Sequence, residues 1–148
     1  MQDAAANPRQ EAMAVLSHAA PARLAEIWSQ WTDKPAFHKV RGPETGLVMI
    51  RGRAGGGGNP FNLGEATVTR ATVRLETGEV GHSYALGRDG EKAVTSAVLD
   101  ALFQRDPAAV EAHVLSPLRA ALADADKQRR DETAATKVDF FTMVRGED

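Results

Sequence analysis

Cysteine is absent from the 148 residues. That excludes a disulfide scaffold, an iron–sulfur cluster and every thiolate metal site, and it suits a reducing compartment. Long apolar runs are missing as well, since nothing approaches the roughly 20 residues that span a bilayer. Residues 1–10 are polar and alanine-rich without an apolar h-region, so no secretory signal is expected and the cytoplasm is the expected location. A basic surplus is also lacking: 18 Lys and Arg stand against 20 Asp and Glu, for a net charge of -2. Sequence-independent binding to nucleic acid therefore has no driving force. The aromatic residues, 5% of the chain, fall mostly on helical stripes or near the C-terminus, which is not the pattern of a base-stacking platform.

Catalytic signatures are missing too. No His-Glu-x-x-His, nucleophile elbow or carboxylate pair occurs. The histidines at 18, 38, 82 and 113 have no His or carboxylate partner two to four residues on that would suggest a metal site. No catalytic residue, metal site or chain-bound cofactor is expected.

What remains is an ordinary globular composition, 43% apolar and 26% charged, in a chain of one-domain length. A domain of this size buries roughly 70% of its unfolded surface, enough for a core without cross-links. Residues 1–8 read as a frayed leader and 9–148 as a single domain. A helix is expected over 9–18, with Met13 and Leu16 inward. Pro21 then suits the first turn of a second helix carrying Leu24, Ile27, Trp28 and Trp31 as one apolar stripe. The character changes after Pro35. Residues 37–41 and 47–53 read as two strands joined by a Gly-Pro-Glu-Thr-Gly turn, 55–64 as a glycine-rich loop, and 66–75 as a third strand. Thr77-Gly78 turns into a fourth, 80–86, with Val80, His82, Tyr84 and Leu86 on one face and the small Gly81, Ser83 and Ala85 on the other. His82, on the apolar face, is expected to be a hydrogen-bonded core histidine.

Asp89 is a good N-cap for a helix ending near Gln104, with Val94, Ala97, Val98, Ala101 and Leu102 inward. Asp106-Pro107 and Ser116-Pro117 signal two further helical starts, and the last piece becomes very polar over 124–133. Helices, then strands, then helices predict an α+β fold: a mostly antiparallel sheet of about four strands with helices at both chain ends, plus an extended C-terminal segment.

Three features carry candidate contacts. The run Gly55-Gly56-Gly57-Gly58 exposes backbone amides that suit close approach to a phosphate or partner, Gly56 and Gly57 above all, or it is simply a flexible loop. No Gly-Lys-Ser/Thr or helix signal follows, so it is neither a P-loop nor a dinucleotide fingerprint. Arg51 and Arg53 share one face of an expected strand, as do Arg70 and Arg74 on another. If neighbouring, the four make a positive patch for an anion or partner; otherwise they form a solvated face paired with Glu44, Glu65 or Glu76. In the extended segment 138–145, Phe140 and Phe141 point to opposite sides, with Met143 and Arg145 following. A docking tail over 137–146 or an internal edge strand would each explain it.

The ordered blocks Glu44-Thr45-Gly46-Leu47-Val48, Pro60-Phe61-Asn62-Leu63-Gly64-Glu65-Ala66-Thr67-Val68-Thr69-Arg70 with 71–75, Leu86-Gly87-Arg88-Asp89, and 137–146 resemble the PhnG family. This is the G subunit of the bacterial carbon–phosphorus lyase system, and the likeness runs from about residue 9 to 146. The four-glycine run is more extreme than the mixed Gly-polar loop of the family. The resemblance implies a cytoplasmic core complex with subunits I, H and J. It also implies a part, alongside subunits I, H and L, in an early step in which a phosphonate displaces adenine from ATP at the ribose C1. ATP would be a substrate of the complex. Carbon–phosphorus cleavage, with its iron–sulfur cluster and S-adenosylmethionine, would belong to subunit J. The resemblance carries over no catalytic residue. The alternative is a nucleotide-binding transferase in its own right, built on the glycine loop and the arginines.

Overall fold

The computed structural model describes residues 7–138. Helix α1, Pro8–His18, starts where the Asn7 side chain accepts a hydrogen bond from the Arg9 amide at 3.0 Å, with Pro8 in the first turn where no amide is needed. Helix α2, Pro21–Gln30, follows after two residues. Ala12, Leu16, Leu24 and Ile27 are buried, and Trp28 and Trp31 pack partly buried against the same core. Met13, expected inward, is only half-buried.

Among the described residues three strands follow, not four: β1 Phe37–Arg53, β2 Pro60–Leu75 and β3 Val80–Leu86, antiparallel and in that spatial order. The two strands expected over 37–53 are one strand. Arg41 pairs with Thr72 and Glu44 with Arg70, so the Gly42-Pro43 step inserts one extra residue as a bulge and does not reverse the chain. Gly42 has φ +75, and a Cβ there would lie 2.7 Å from the Arg70 carbonyl oxygen. Turn chemistry marks a bulge as readily as a turn, and the unbroken β2 opposite decides between them. The extended C-terminal segment lies outside the described residues.

Helix α3, Gly90–Arg105, begins at Asp89, whose carboxylate accepts from the Lys92 amide at 2.9 Å. It is buried on nearly every side and covers the sheet face formed by Thr69, Ala71, Val73 and Leu75 of β2 and Gly81, Ser83 and Ala85 of β3. The approach is close. A Cβ at Gly81 would collide with the Ala97 carbonyl and stand 2.7 Å from the Ala101 amide. The Ser83 hydroxyl donates to the Ala93 carbonyl at 2.6 Å.

Helix backbone thus takes the room that large side chains would need. The large set Val80, His82, Tyr84 and Leu86 points the other way. His82 is therefore not a core histidine: its ring is exposed, with Nδ1 3.2 Å from the Thr72 hydroxyl.

Helix α4, Pro107–Val110, is capped by Asp106, which accepts from the Ala109 amide at 3.0 Å. The chain then widens into a π turn, Glu111–Leu115, and continues as α5, Ser116–Ala135. Ser116-Pro117 is not a fresh start: the Ser116 amide reaches back five residues to the Glu111 carbonyl. Pro117 has no N–H to leave unsatisfied, so the widened turn costs little there. Val110, Val114, Leu115 and Leu118 carry the core across this joint.

Two buried polar groups hold the layers together. The Asp100 carboxylate, fully buried on α3, accepts from the Arg9 guanidinium at 2.9 and 2.8 Å and from the His82 amide at 2.8 Å. The Lys92 ammonium donates to the Ser17 carbonyl at 2.8 Å, covering the end of α1. Burial, set against the nearby Asp89, pushes the Lys92 pKa down.

Candidate functional site

Strand β3 pairs with β2 only from Arg74 to Val68. Past Val68, β1 and β2 run on together as a two-stranded ribbon that ends where Arg53 meets Pro60. A Gly-rich turn closes the tip, with Ala54–Gly56 as a short 3₁₀ turn and the Gly58 amide donating to the Ala54 carbonyl at 3.0 Å.

Opposed residues in an antiparallel pair share a face, so the register assigns the ribbon's two sides. One side carries Val48 opposite Ala66, Ile50 opposite Gly64, and Gly52 opposite Phe61. Leu63, the bulged residue of β2, folds over Gly52 on that same side. The other side carries Leu47 opposite Thr67, Met49 opposite Glu65, Arg51 opposite Asn62, and Arg53 opposite Pro60. Leu47, Val48, Met49, Ile50, Phe61 and Leu63 are all between 39% and 63% exposed.

The first of these sides continues the sheet face that α3 leaves bare. By alternation it runs into Val68, Arg70 and Thr72 of β2 and His82, Tyr84 and Leu86 of β3. Tyr84 and Leu86 are more than half exposed. The result is a strip of apolar side chains along the uncovered face, from Tyr84 to the ribbon's tip.

The four candidate arginines do not form one patch. Arg70 lies on the bare face, where the Glu44 carboxylate accepts from its Nε and Nη2 at 3.0 and 2.9 Å. Arg41 bonds the same carboxylate at 3.1 Å. These two cations, Arg41 foremost, hold the Glu44 carboxyl below its ordinary value, and the Tyr84 hydroxyl and Glu44 push the Arg70 guanidinium up. Arg74 is exposed further down the same strand. Arg51 and Arg53 project from the opposite side of the ribbon, roughly 25 Å or more along the strands from Arg70 at about 3.4 Å per residue. Among the described residues neither meets a carboxylate; Arg53 donates to the Gly58 carbonyl at 3.4 Å. Gly56 and Gly57 sit at the exposed tip, with open space where a Cβ would be.

A cleft lies elsewhere. A space of about 520 Å³ opens between α2, α3 and the π turn, lined in part by Ile27, Trp31, Asp33, Leu102, Arg105 and His113. Trp31 stacks on Trp28 with centroids 6.4 Å apart and meets His113 edge-on at 6.2 Å. Its polar groups engage one another: the Trp31 indole donates to the Asp33 carbonyl at 3.0 Å, and Arg105 approaches the Asp33 carboxylate at 3.9 Å. No nucleophile stands beside a base there. Among the described residues no cluster of His, Asp and Glu could hold a metal ion, and no helix is long and apolar enough to cross a membrane.

The family model described as phosphonate metabolism protein PhnG matches residues 7–146. The chain belongs to the PhnG family. A PhnG relative from Rhizobium meliloti (strain 1021), named alpha-D-ribose 1-methylphosphonate 5-triphosphate synthase subunit PhnG, is 55% identical over 147 residues. The alignment covers 99% of this chain and 94% of the relative. The PhnG match takes in both the ribbon and 137–146, so Phe140, Phe141, Met143 and Arg145 belong to the family's span although they lie outside the described residues. The reading as a self-sufficient transferase finds no support: Arg51 and Arg53 flank the glycine loop, but Arg70 and Arg74 stand far down the hairpin, so the four arginines do not converge on one site. Sequence reasoning missed the apolar strip itself. Its signal was present: Leu47-Val48-Met49-Ile50 is apolar on both sides of a strand, which an ordinary surface strand is not.

Proposed function

We propose that this chain is the G subunit of α-D-ribose 1-methylphosphonate 5-triphosphate synthase, and that it serves the assembly as a scaffolding and accessory subunit. The 55% identity with a subunit of that name, over nearly the full length of both chains, carries the reading. In the reaction, a phosphonate oxygen of methylphosphonate attacks the ribose C1 of ATP. The C1–N bond to adenine breaks, adenine leaves, and the triphosphate stays on the 5 position. The other subunits supply the reacting groups. This chain supplies contact surface, cytoplasmic and in the company of subunits I, H and J, with L joining the ATP-dependent step.

The contact residues are Arg51, Arg53, Arg70 and Arg74, the tip glycines Gly56 and Gly57, and Phe140, Phe141, Met143 and Arg145 of a docking tail at 137–146. Residues 9–148 act as one unit. The exposed apolar strip supports this division of labour, since a stable monomer rarely leaves so long a run of large apolar groups uncovered.

Adenine release from ATP on adding methylphosphonate tests the reading. The purified chain alone is expected to be silent and the assembled set active; turnover by the single chain overturns the accessory role. Truncation before Val138 is expected to weaken co-purification with subunit I. Equal recovery of both forms would remove the tail from the interface.

A further inference from the structure

We propose that the distal β1–β2 ribbon is an insertion arm, seated in a cleft of a different subunit that is apolar along its walls and acidic at its inner end. The proposal rests on the subunit reading above and specifies which element docks and into what.

Among the described residues the ribbon has no layer to pack on. A two-stranded hairpin alone is marginal in water, and this one carries exposed large apolar groups on both sides. Val48, Ile50, Phe61 and Leu63 occupy one side, Leu47 and Met49 the other. Among the described residues, neither edge of the ribbon pairs with another strand, so two rows of backbone donors and acceptors are also open. About 20 residues make up the ribbon and its turn, the number a standard-sized interface takes from one partner.

The occupant follows from having two sides to cover. A second copy of this ribbon, laid flat against the first, would cover Ile50 and Leu63 and leave Leu47 and Met49 in water. A cleft encloses both. Charge selects the cleft's inner end. From Gly46 to Ala66 the only ionisable groups are Arg51, Arg53 and Glu65, and the two arginines sit nearest the tip without a carboxylate partner among the described residues. Desolvating two unpaired guanidiniums is unfavourable, so the partner must bring carboxylates to them. The glycine run then has a use. From 55 to 57 the tip carries no side-chain bulk and its Cβ positions are open, so the arm tapers and its end can pass a narrow entrance.

The experiment compares the full-length chain with two double variants, Ile50→Asp/Leu63→Asp and Arg51→Glu/Arg53→Glu. Each is measured alone for melting temperature and mass, then titrated into the remaining subunits of the synthase. Alone, both variants are expected to melt within about 2 °C of the wild type, because the substituted groups lie outside the core. In the titration, Ile50→Asp/Leu63→Asp is expected to weaken association by at least about 30-fold. Arg51→Glu/Arg53→Glu, which sets like charges against each other in the enclosed end, is expected to weaken association by at least about 30-fold through faster dissociation, a loss that persists as salt rises. Assembly at wild-type affinity by either variant overturns the arm. A wild-type chain that dimerises alone, and loses the dimer in Ile50→Asp/Leu63→Asp, replaces the cleft with a second copy and overturns the proposal. A wild-type chain that fails to join the other subunits rejects the subunit reading, and this one with it.

Discussion

The lower half of the long hairpin and its distal half are the same two strands under different conditions. Below Val68, β2 has a third strand beside it and α3 against one face. There Thr69, Ala71, Val73 and Leu75 are buried, and the residues of β3 that meet the helix are as small as side chains can be. Beyond Val68 both neighbours stop while β1 and β2 continue, and Leu47, Met49, Ile50 and Leu63 stand in solvent. The strands' own chemistry marks the change only in the run Leu47-Val48-Met49-Ile50, apolar on both sides. The pairing carries on, and what ends is the second layer. Among the described residues the base is complete and the extension is not, and that difference is what the proposed docking would make good.

That contrast can be broken most severely at the point of closest contact in the base. Gly81→Ala puts a methyl group into the backbone of α3, which cannot yield as a side chain would. The expected loss is about 3 kcal/mol or more, a fall of roughly 10 °C in melting temperature. A normal melt would mean that α3 sits further from β3. Next comes Arg9→Ala, which leaves Asp100 buried with only the His82 amide. Removing one partner of a buried pair costs up to several kcal/mol, but Arg9 is itself a third exposed and water can replace it in part, so about 2 kcal/mol is expected in urea denaturation. Leu63→Ala, in the ribbon, should cost no more than about 0.5 kcal/mol of the chain's own stability, far below the 2–5 kcal/mol typical of a buried leucine. A loss of 2 kcal/mol in that variant would show the ribbon to be packed after all and erase the comparison.

The smallest effect lies at the boundary between the two regions. Glu44 has a folded-state pKa held below its unfolded value by Arg41 and Arg70. Its contribution is present above the ordinary carboxylate range and disappears as pH falls through the lowered value. Glu44→Gln should therefore melt slightly below the wild type at pH 7, and the gap should close as pH falls through the lowered carboxyl value. A gap that persists in acid would assign the effect to something other than the carboxylate.

Much of this was legible from local chemistry. The helix starts at Asp89 and Asp106, the first-turn prolines at 21 and 107, and the strand positions over 66–75 and 80–86 agree with the structure, because caps and turns depend on a few neighbouring residues. The misreadings share a different origin. Gly42-Pro43 has the composition of a turn, yet its partner strand runs straight past it. Val80, His82, Tyr84 and Leu86 have the composition of a core face, yet α3 came in on the side of Gly81. Of the candidate contacts, Arg51, Arg53, Gly56 and Gly57 do gather at one end of the molecule, while Arg70 and Arg74 lie elsewhere; only the register could separate them.

The order of residues by itself determined where helices start at Pro21, Asp89 and Asp106, that the chain holds no cysteine thiolate, and, through its ordered blocks, that it is of the PhnG kind. Caps and first-turn prolines act within a few residues. Which face of each strand is inside, and that the longest hairpin outruns the helix that should cover it, was decided only by tertiary packing. The inside of a sheet is whichever face another element reaches, and a strand does not encode how far its neighbours extend.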